Sequence, residues 1–362
     1  MELKNQNILL LTRTMGMGGT EEMVLFICEF LNPLANKIIV CSCGGEKVPN
    51  LESLGVKHHT IPDMEKKDFG TIISISKILK KIVKDNNITI IHSHHRMAAF
   101  YAQLLFGKSI LKIVNGHNTF NDKKILTKYA YHNAKIIADG NMVKENLIEF
   151  YNINESEITT IYNTIKPFDS EVNVVPEIAE CHNNGFIVVG NVGRMSVEKG
   201  FDYFIKSIPI SKNRLETPVK YFIIGDGEKR KELEELAKGL NVFDDIVWLG
   251  YRTDIQNVIA QIDFLVLSSL WEGYPLTLID ALSVGKAIVA TDVDGNKEIV
   301  NDNVTGLLVK PKDSEGLSNA IVQLCNNKEK RKQMSINAFS SYEKSFSFFK
   351  MKENYIDFYK RL

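Results

Sequence analysis

Short apolar runs bounded by polar or glycine turns recur along the chain, at residues 7–12 (NILLLT), 37–42 (KIIVCS), 88–93 (ITIIHS), 111–116 (LKIVNG) and 135–139 (KIIAD). Between them lie stretches with helical spacing of apolar positions, among them 21–31 and 71–85. Continuous Val/Ile/Leu runs alternating with amphipathic helices predict βαβ units and a parallel sheet covered on both faces, because a strand buried on two sides has no polar face to show. The rhythm breaks in the polar stretch 167–184, PFDSEVNVVPEIAECHNN, and resumes at 186–193, 219–227, 245–250, 263–269 and 286–292. The pattern therefore predicts two doubly wound α/β domains, residues 1–168 and 169–345, joined near residue 170.

Length agrees, since 362 residues exceed what one hydrophobic core holds comfortably. Lys+Arg and Asp+Glu both total 44, and that zero net charge argues against a general nucleic-acid binder. No apolar stretch reaches the roughly 20 residues a spanning helix needs, and the apolar core of the first residues is too short for a signal peptide. Five scattered cysteines suit neither a disulfide framework nor a zinc site. These features lead us to expect reduced thiols and a cytoplasmic location.

In open parallel sheets, ligands sit beyond the carboxyl ends of the strands, so the residues leaving each run carry the chemistry. After the first run, TRTMGMGGTEE places Gly16 and Gly18 as a dinucleotide fingerprint would, but Glu21 stands where the third glycine belongs. No acid ends the run at 37–42 to take a ribose, so an NAD enzyme is a distant alternative. The Gly18-Gly19 loop can still bring backbone amides to a phosphate, or be an ordinary strand-to-helix turn. In the second half, Gly193-Arg194 followed by Lys199-Gly200 sends two cations from one strand end, a spacing able to hold a diphosphate as a divalent metal otherwise would. Asp292 and Asp294 form a D-x-D without a nearby third ligand. His92, His94 and His95 are read as strand-end histidines at a pocket rim rather than as metal ligands.

The stretch LWEGYPLTLID sets Glu272 beside a Gly-Tyr-Pro corner and Asp280 eight residues later. Along a helix that spacing is about 12 Å of rise, too far apart for the roughly 5 Å of a retaining glycosidase pair. A clamp on two ends of a polyhydroxyl ligand fits better than an acid/base pair.

Taken in order, NVGRMSVEKGFDYFI, IIGDGEKRKELEELA, VWLGYRTDI and SSLWEGYPLTLIDALSVGKAIVATDVDGNKEIV resemble the carboxy-terminal half of a family 4 glycosyltransferase. The Gly18-Gly19 loop, NGHNT and IYNTI at 161–165 resemble the amino-terminal half, and FSFFKMKENYIDFYKRL is similar to the closing helix, about 346–362, that crosses back to the first domain. The resemblance implies the GT-B fold, two Rossmann-like domains facing a central cleft, the first binding acceptor and the second a nucleotide-sugar. It implies that Arg194 and Lys199 hold the donor diphosphate, Glu272 the sugar hydroxyls, and Asp280 the ribose. The backbone of Gly273, Tyr274, Pro275, Leu276 and Thr277, at a helix start, would face the donor phosphates and sugar. Tyr251 and Arg252, after Gly250, would read the base; Gly18 and Gly19 would touch the donor phosphate, and His117 would lie near sugar and acceptor. One departure is that the second acid is Asp280 where the family carries Glu, one methylene longer.

By the same resemblance the reaction retains configuration, uses a nucleotide-sugar with uridine as the expected base, and needs no metal or cofactor. The leaving phosphate oxygen would take the acceptor proton, since no carboxylate stands out in the first half. The acceptor would be a glycan or polyprenyl-diphosphate-linked oligosaccharide of cell-surface polysaccharide. Alternatives are a GT-B nucleotide-sugar epimerase or hydrolase, and a non-catalytic nucleotide-sugar-binding subunit. Lys77, Lys80, Lys81 and Lys84 share one face of the helical stretch at 71–85; they can rest on anionic lipid at the inner face of the plasma membrane or simply face water.

Overall fold

A computed structural model describes residues 1–66, 68–168 and 171–362. The chain forms two compact units, Met1–Asn163 with Met351–Leu362, and Thr164–Lys350. The expected boundary falls beside Asp169 and Ser170, which lie outside the described residues.

Unit 1 holds β1 (Asn7–Leu11), β2 (Lys37–Ser42), β3 (Lys57–Thr60), β4 (Ile90–Ser93), β5 (Leu111–Gly116), β6 (Lys135–Ala138) and β7 (Ile158–Thr160). They form one sheet in the order β3-β2-β1-β4-β5-β6-β7, with every pair parallel. Unit 2 holds β8 (Ile187–Val192), β9 (Val219–Ile224), β10 (Ile246–Gly250), β11 (Phe264–Leu267), β12 (Ala287–Thr291) and β13 (Gly306–Val309), in the parallel order β10-β9-β8-β11-β12-β13. Both sheets are doubly wound: the order reverses between β1 and β4 in one and between β8 and β11 in the other. At those reversals successive crossovers leave for opposite faces, which opens a crevice at the strand ends.

The central strands are mostly apolar because helices cover both faces. Ile8 to Leu11 and Phe264 to Leu267 are all buried. The helix Phe69–Asp85 shows how the covering works. Asp68 caps it, accepting from the Thr71 amide at 2.8 Å. Its Ile75, Leu79 and Ile82 pack on the core with Leu9, Ile39 and Ile91, while Lys77, Lys80, Lys81 and Lys84 face outward. The apolar side of this helix is therefore spent on its own sheet.

Three strands and one helix escape the apolar pattern. β3 reads KHHT with no fully buried position, β7 is three residues long, and β13 borders the other sheet. Edge strands are half-solvated and need no apolar run. Within the polar stretch 167–184 the helix Pro176–Asn183 forms, started by Pro176 in its first turn and anchored by buried Ile178 and Cys181. The closing helix Phe348–Arg361 belongs to unit 1 from Met351 onward, with Tyr355 and Tyr359 fully buried there. All five cysteines are free, Cys43 half-buried and the rest buried. Among the described residues, no helix is long and apolar enough to cross a membrane.

Candidate functional site

In unit 2 the two strands flanking the reversal, β8 and β11, each end in a turn, and the turns are stitched together. Asn191 Nδ2 donates to Ser268 Oγ at 3.0 Å, Ser268 Oγ donates to the Lys199 carbonyl at 3.1 Å, and the Leu270 amide donates to the Glu198 carbonyl at 2.7 Å. Gly200 is needed for this: it sits at φ +57°, and a Cβ there would strike the Ser268 carbonyl. The seam brings Lys199 Nζ to 2.6 Å from Glu272 Oε1, which also accepts from Ser269 Oγ at 2.6 Å. Both side chains are largely shielded, 22% exposed for Lys199 and 10% for Glu272. Glu272 Oε2 accepts no hydrogen bond among the described residues, so a carboxylate oxygen fixed by its twin remains open to a ligand hydroxyl.

Glu272 does not lie on a helix with Asp280, contrary to the geometry expected from their spacing. The helix is Leu276–Ser283, preceded by Pro275 in an extended conformation. Proline fixes its own φ and cannot continue a helix backward, so Glu272 stays in the loop and only Asp280 is helical. The loop packs on Gly295, where a Cβ would strike the Gly273 carbonyl. Leu276 and Thr277 open the helix, and their amides belong to the first turn, which has no intrahelical partner. Tyr274 is half-buried.

Asp280 is half-buried with no cation beside it among the described residues, and desolvation pushes its carboxyl up to about 7. The native state thus holds a proton between about pH 4 and about pH 7 that the unfolded chain releases. Stability is expected to fall as pH rises across that window and to level off above it. Asp280→Asn should be flatter over the window and melt higher than wild type above about pH 7, which calorimetric melting at about pH 5 and about pH 8 will check. A parallel pH response in both proteins would contradict this.

Arg194, after β8, is 71% exposed and lies 3.2 Å from Glu228. Lys199 turns to Glu272 and Arg194 to Glu228. Their turn is held by Gly225 (φ +136°) and Gly227, whose Cβ atoms would strike the backbone at Gly193 and Met195. After β10, Tyr251 is 75% exposed, and Arg252 forms a two-pronged ion pair with Asp254 at 2.8 and 2.7 Å. Asp292 and Asp294 both lie near Lys297, at 3.5 and 3.8 Å. No cluster of three or more potential metal-ligating side chains occurs among the described residues.

In unit 1, Gly18 caps the helix Gly19–Leu31 in extended conformation. Glu21 folds back so that a Cβ on Gly18 would strike its carboxylate, Thr14 bonds Glu21, and Lys47 pairs with Glu22. The expected phosphate approach is therefore flanked by acids.

A cavity of ≈ 220 Å³ lies at the carboxyl ends of β4 and β5, lined by His94, His95, Arg96, Asn115 and His117 among others. His117 Nδ1 lies 2.6 Å from Asp139 Oδ2, and His117 Nε2 lies 3.2 Å from His94 Nδ1. Asn115 Nδ2 donates to Asp139 Oδ1 at 2.6 Å, while Asn115 Oδ1 meets His92 Nε2 at 2.9 Å and the Tyr355 hydroxyl at 3.2 Å. His92 Nδ1 lies 2.7 Å from the Tyr359 hydroxyl. His92 is interior rather than at a pocket rim, with 0% exposure, whereas His94 (2% exposed) and His95 line the cavity as expected. Burial lowers His92 to about 3 and His94 well below the ordinary histidine value, so both rings are neutral. His95 caps the helix Arg96–Phe106 and lies 3.4 Å from Glu65. Asp139 is the carboxylate that sequence reading passed over in this half; its place directly after β6 was the available signal.

The fold and these strand-end crevices define a two-unit α/β protein whose polar groups gather at the topological reversals. Two family models match in series, Glycosyltransferase Family 4 over residues 17–167 and Glycosyl transferases group 1 over 178–341. The chain belongs to the glycosyltransferases of this family, and its fold is GT-B. It is 27% identical over 282 residues to the Escherichia coli UDP-Gal:alpha-D-GlcNAc-diphosphoundecaprenol alpha-1,3-galactosyltransferase, with 72% of each chain covered. In fold it resembles a glycosyltransferase from Rickettsia africae ESF-5 (TM-score 0.85, 21% identity, 99% of this chain and 98% of that one). It also resembles Anabaena Alr3699/HepE solved in complex with UDP (TM-score 0.84, 18% identity, 99% and 100% covered).

Proposed function

We propose that this glycosyltransferase moves a sugar from a uridine-diphosphate donor to a glycan or polyprenyl-diphosphate-linked acceptor, with retention and without a divalent metal or cofactor. The observation that carries the reading is the shielded Lys199–Glu272 pair at the reversal of unit 2. It sets a cation for phosphate and an open carboxylate oxygen for sugar hydroxyls side by side. Lys199 and Arg194 neutralise charge growing on the departing diphosphate, the electrostatic contribution usually largest in such reactions. The first-turn amides of Leu276 and Thr277, with Gly273 and Tyr274, face the donor; Asp280 takes the ribose, and Tyr251 with Arg252 takes the base. Gly18 and Gly19 would touch a donor phosphate, and His117 would lie near sugar and acceptor. The E. coli relative's own name, a UDP-Gal enzyme working on a diphosphoundecaprenol acceptor, supports the donor and acceptor classes. An acceptor anchored in lipid would bring the outward lysines of the helix Phe69–Asp85 to an anionic membrane at the cytoplasmic side.

The test incubates UDP-sugars with polyprenyl-diphosphate-linked glycan in vesicles containing EDTA and follows product anomers by NMR. An axial donor bond giving an axial product, with EDTA harmless, is the expected result. An inverted product, a metal requirement, or UDP release independent of any acceptor would overturn it, the last in favour of a hydrolase.

A further inference from the structure

The crossovers from β3 to β4, β4 to β5 and β5 to β6 all step the same way across the sheet of unit 1. Right-handed connections therefore lay their helices, Phe69–Asp85, Arg96–Phe106 and Lys124–Tyr131, side by side on one face. Packing agrees: Ile75 and Leu79 share a core with Ala98 and Tyr101, and the Phe100 and Tyr129 rings lie 5.7 Å apart. Outward, the first helix carries Phe69, Ile73, Lys77, Lys80 and Lys84 at helical spacing, one exposed stripe. The third exposes Ile125 and Tyr129 beside Lys124 and Lys128, and the middle one exposes Leu104. Phe69 is 78% exposed and Ile125 87%. Single exposed apolar side chains are ordinary, but several on adjacent helices of one face mark an interaction surface. Charge on this face is equally lopsided. Asp85 is the one acid in the three helices, in a chain whose bases and acids balance at 44 each. Asp122, in the loop before the third helix, is already paired with Arg96 at 2.7 Å. Elsewhere Lys135, Lys144, Lys206 and Lys212 sit within 2.9 Å of a carboxylate. Lys77, Lys80, Lys81, Lys84 and Lys128 have no ion pair among the described residues.

We propose that these three helices form one surface that docks on an anionic lipid bilayer, with Phe69, Ile73, Ile125 and Tyr129 entering the boundary between headgroups and acyl chains. Unpaired lysines around protruding apolar side chains are complementary to such a bilayer: lipid phosphates hold the ammonium groups while the apolar groups leave water. A second copy of the chain fits poorly, because two copies of a basic face placed together repel. The inference deepens the functional reading above and rests on it for its purpose; a lipid-anchored acceptor there called only on the lysines of one helix. Phe120 and Lys123, just before the third helix, also line the cavity at the carboxyl ends of β4 and β5. The docking face thus adjoins that cavity, and a group carried on lipid would meet it within unit 1.

The test is flotation of the full chain with vesicles that contain no acceptor and no nucleotide-sugar, made of phosphatidylcholine alone or of phosphatidylcholine with phosphatidylglycerol. The expected result is flotation with the anionic vesicles only, weakened by salt. Reversing three charges, Lys77→Glu with Lys81→Glu and Lys128→Glu, should weaken that binding by about 100-fold or more. Phe69→Ser with Ile125→Ser, which leaves the charge unchanged, should weaken it by about 10-fold or more. Lys328→Glu with Lys332→Glu, exposed in unit 2, should leave it within about threefold. All these side chains are exposed, so thermal melting should match wild type. No flotation of wild type, equal flotation with neutral vesicles, full binding by either face variant, or an equal loss in the unit 2 variant would overturn the proposal. So would a wild-type dimer that dissociates on Phe69→Ser with Ile125→Ser, which would assign the face to a second copy. Because the vesicles hold no substrate, failure here leaves UDP-sugar binding and transfer standing, and failure of those leaves the docking result standing.

Discussion

Lys199→Ala is expected to lower kcat for sugar transfer by about 10²–10³-fold, the usual loss on removing one group that stabilises developing negative charge. The reason lies in how the lysine is held. A four-carbon side chain at a surface would be mobile, but Glu272 Oε1 fixes Lys199 Nζ at 2.6 Å in a largely shielded place. The charge is therefore in position before the donor arrives, and needs no reorganisation as the diphosphate departs. Stability should change little, by about 1 kcal/mol or less, because Glu272 keeps its bond to Ser269 and the pair retains some solvent contact. Steady-state kinetics alongside thermal melting checks both halves of this expectation. Unchanged kcat would show that the lysine only neutralises Glu272.

Glu272→Ala is expected to weaken donor capture at least about 100-fold, since two hydrogen bonds to a charged group contribute roughly 1.5 kcal/mol or more each. The substitution also frees Lys199, so kcat falls with affinity rather than being spared. The two residues thus act as a unit, and the double variant should lose little more than the worse single one.

Much of this site was legible in the chain. Lys199 and Glu272 each lie in the turn that follows a buried apolar run, where an open parallel sheet places its ligand. Their contact was not legible, because 73 residues separate them and only the adjacency of β8 and β11 joins the two turns. Pro275 could have warned that the spacing from Glu272 to Asp280 does not run along a helix. In the other unit, His92 and His94 share a strand face as their spacing requires, with rings 4.4 Å apart. His92 is packed against Tyr359, which arrives from the far end of the chain, 267 residues away. Asp139 was missed for a related reason: an acid after a strand resembles a turn residue until Asn115 and His117 are found on the neighbouring strand end. The central strands were legible because burial on both faces leaves them mostly apolar, with polar residues such as His92, Asn115 and Asn191 toward their carboxyl ends. β3 and β7 lie at the ends of their sheet, where half-exposure erases that signal.

The central claim is that unit 2 captures a nucleotide-sugar through Glu272 and Lys199 without a metal. Titration calorimetry of UDP-sugars in EDTA, on wild type and Glu272→Ala, tests it most directly. Binding of a UDP-sugar to wild type, unchanged by EDTA and lost in Glu272→Ala, is the expected result. Equal binding by both proteins, a requirement for a divalent metal, or no binding of any UDP-sugar to wild type would contradict it.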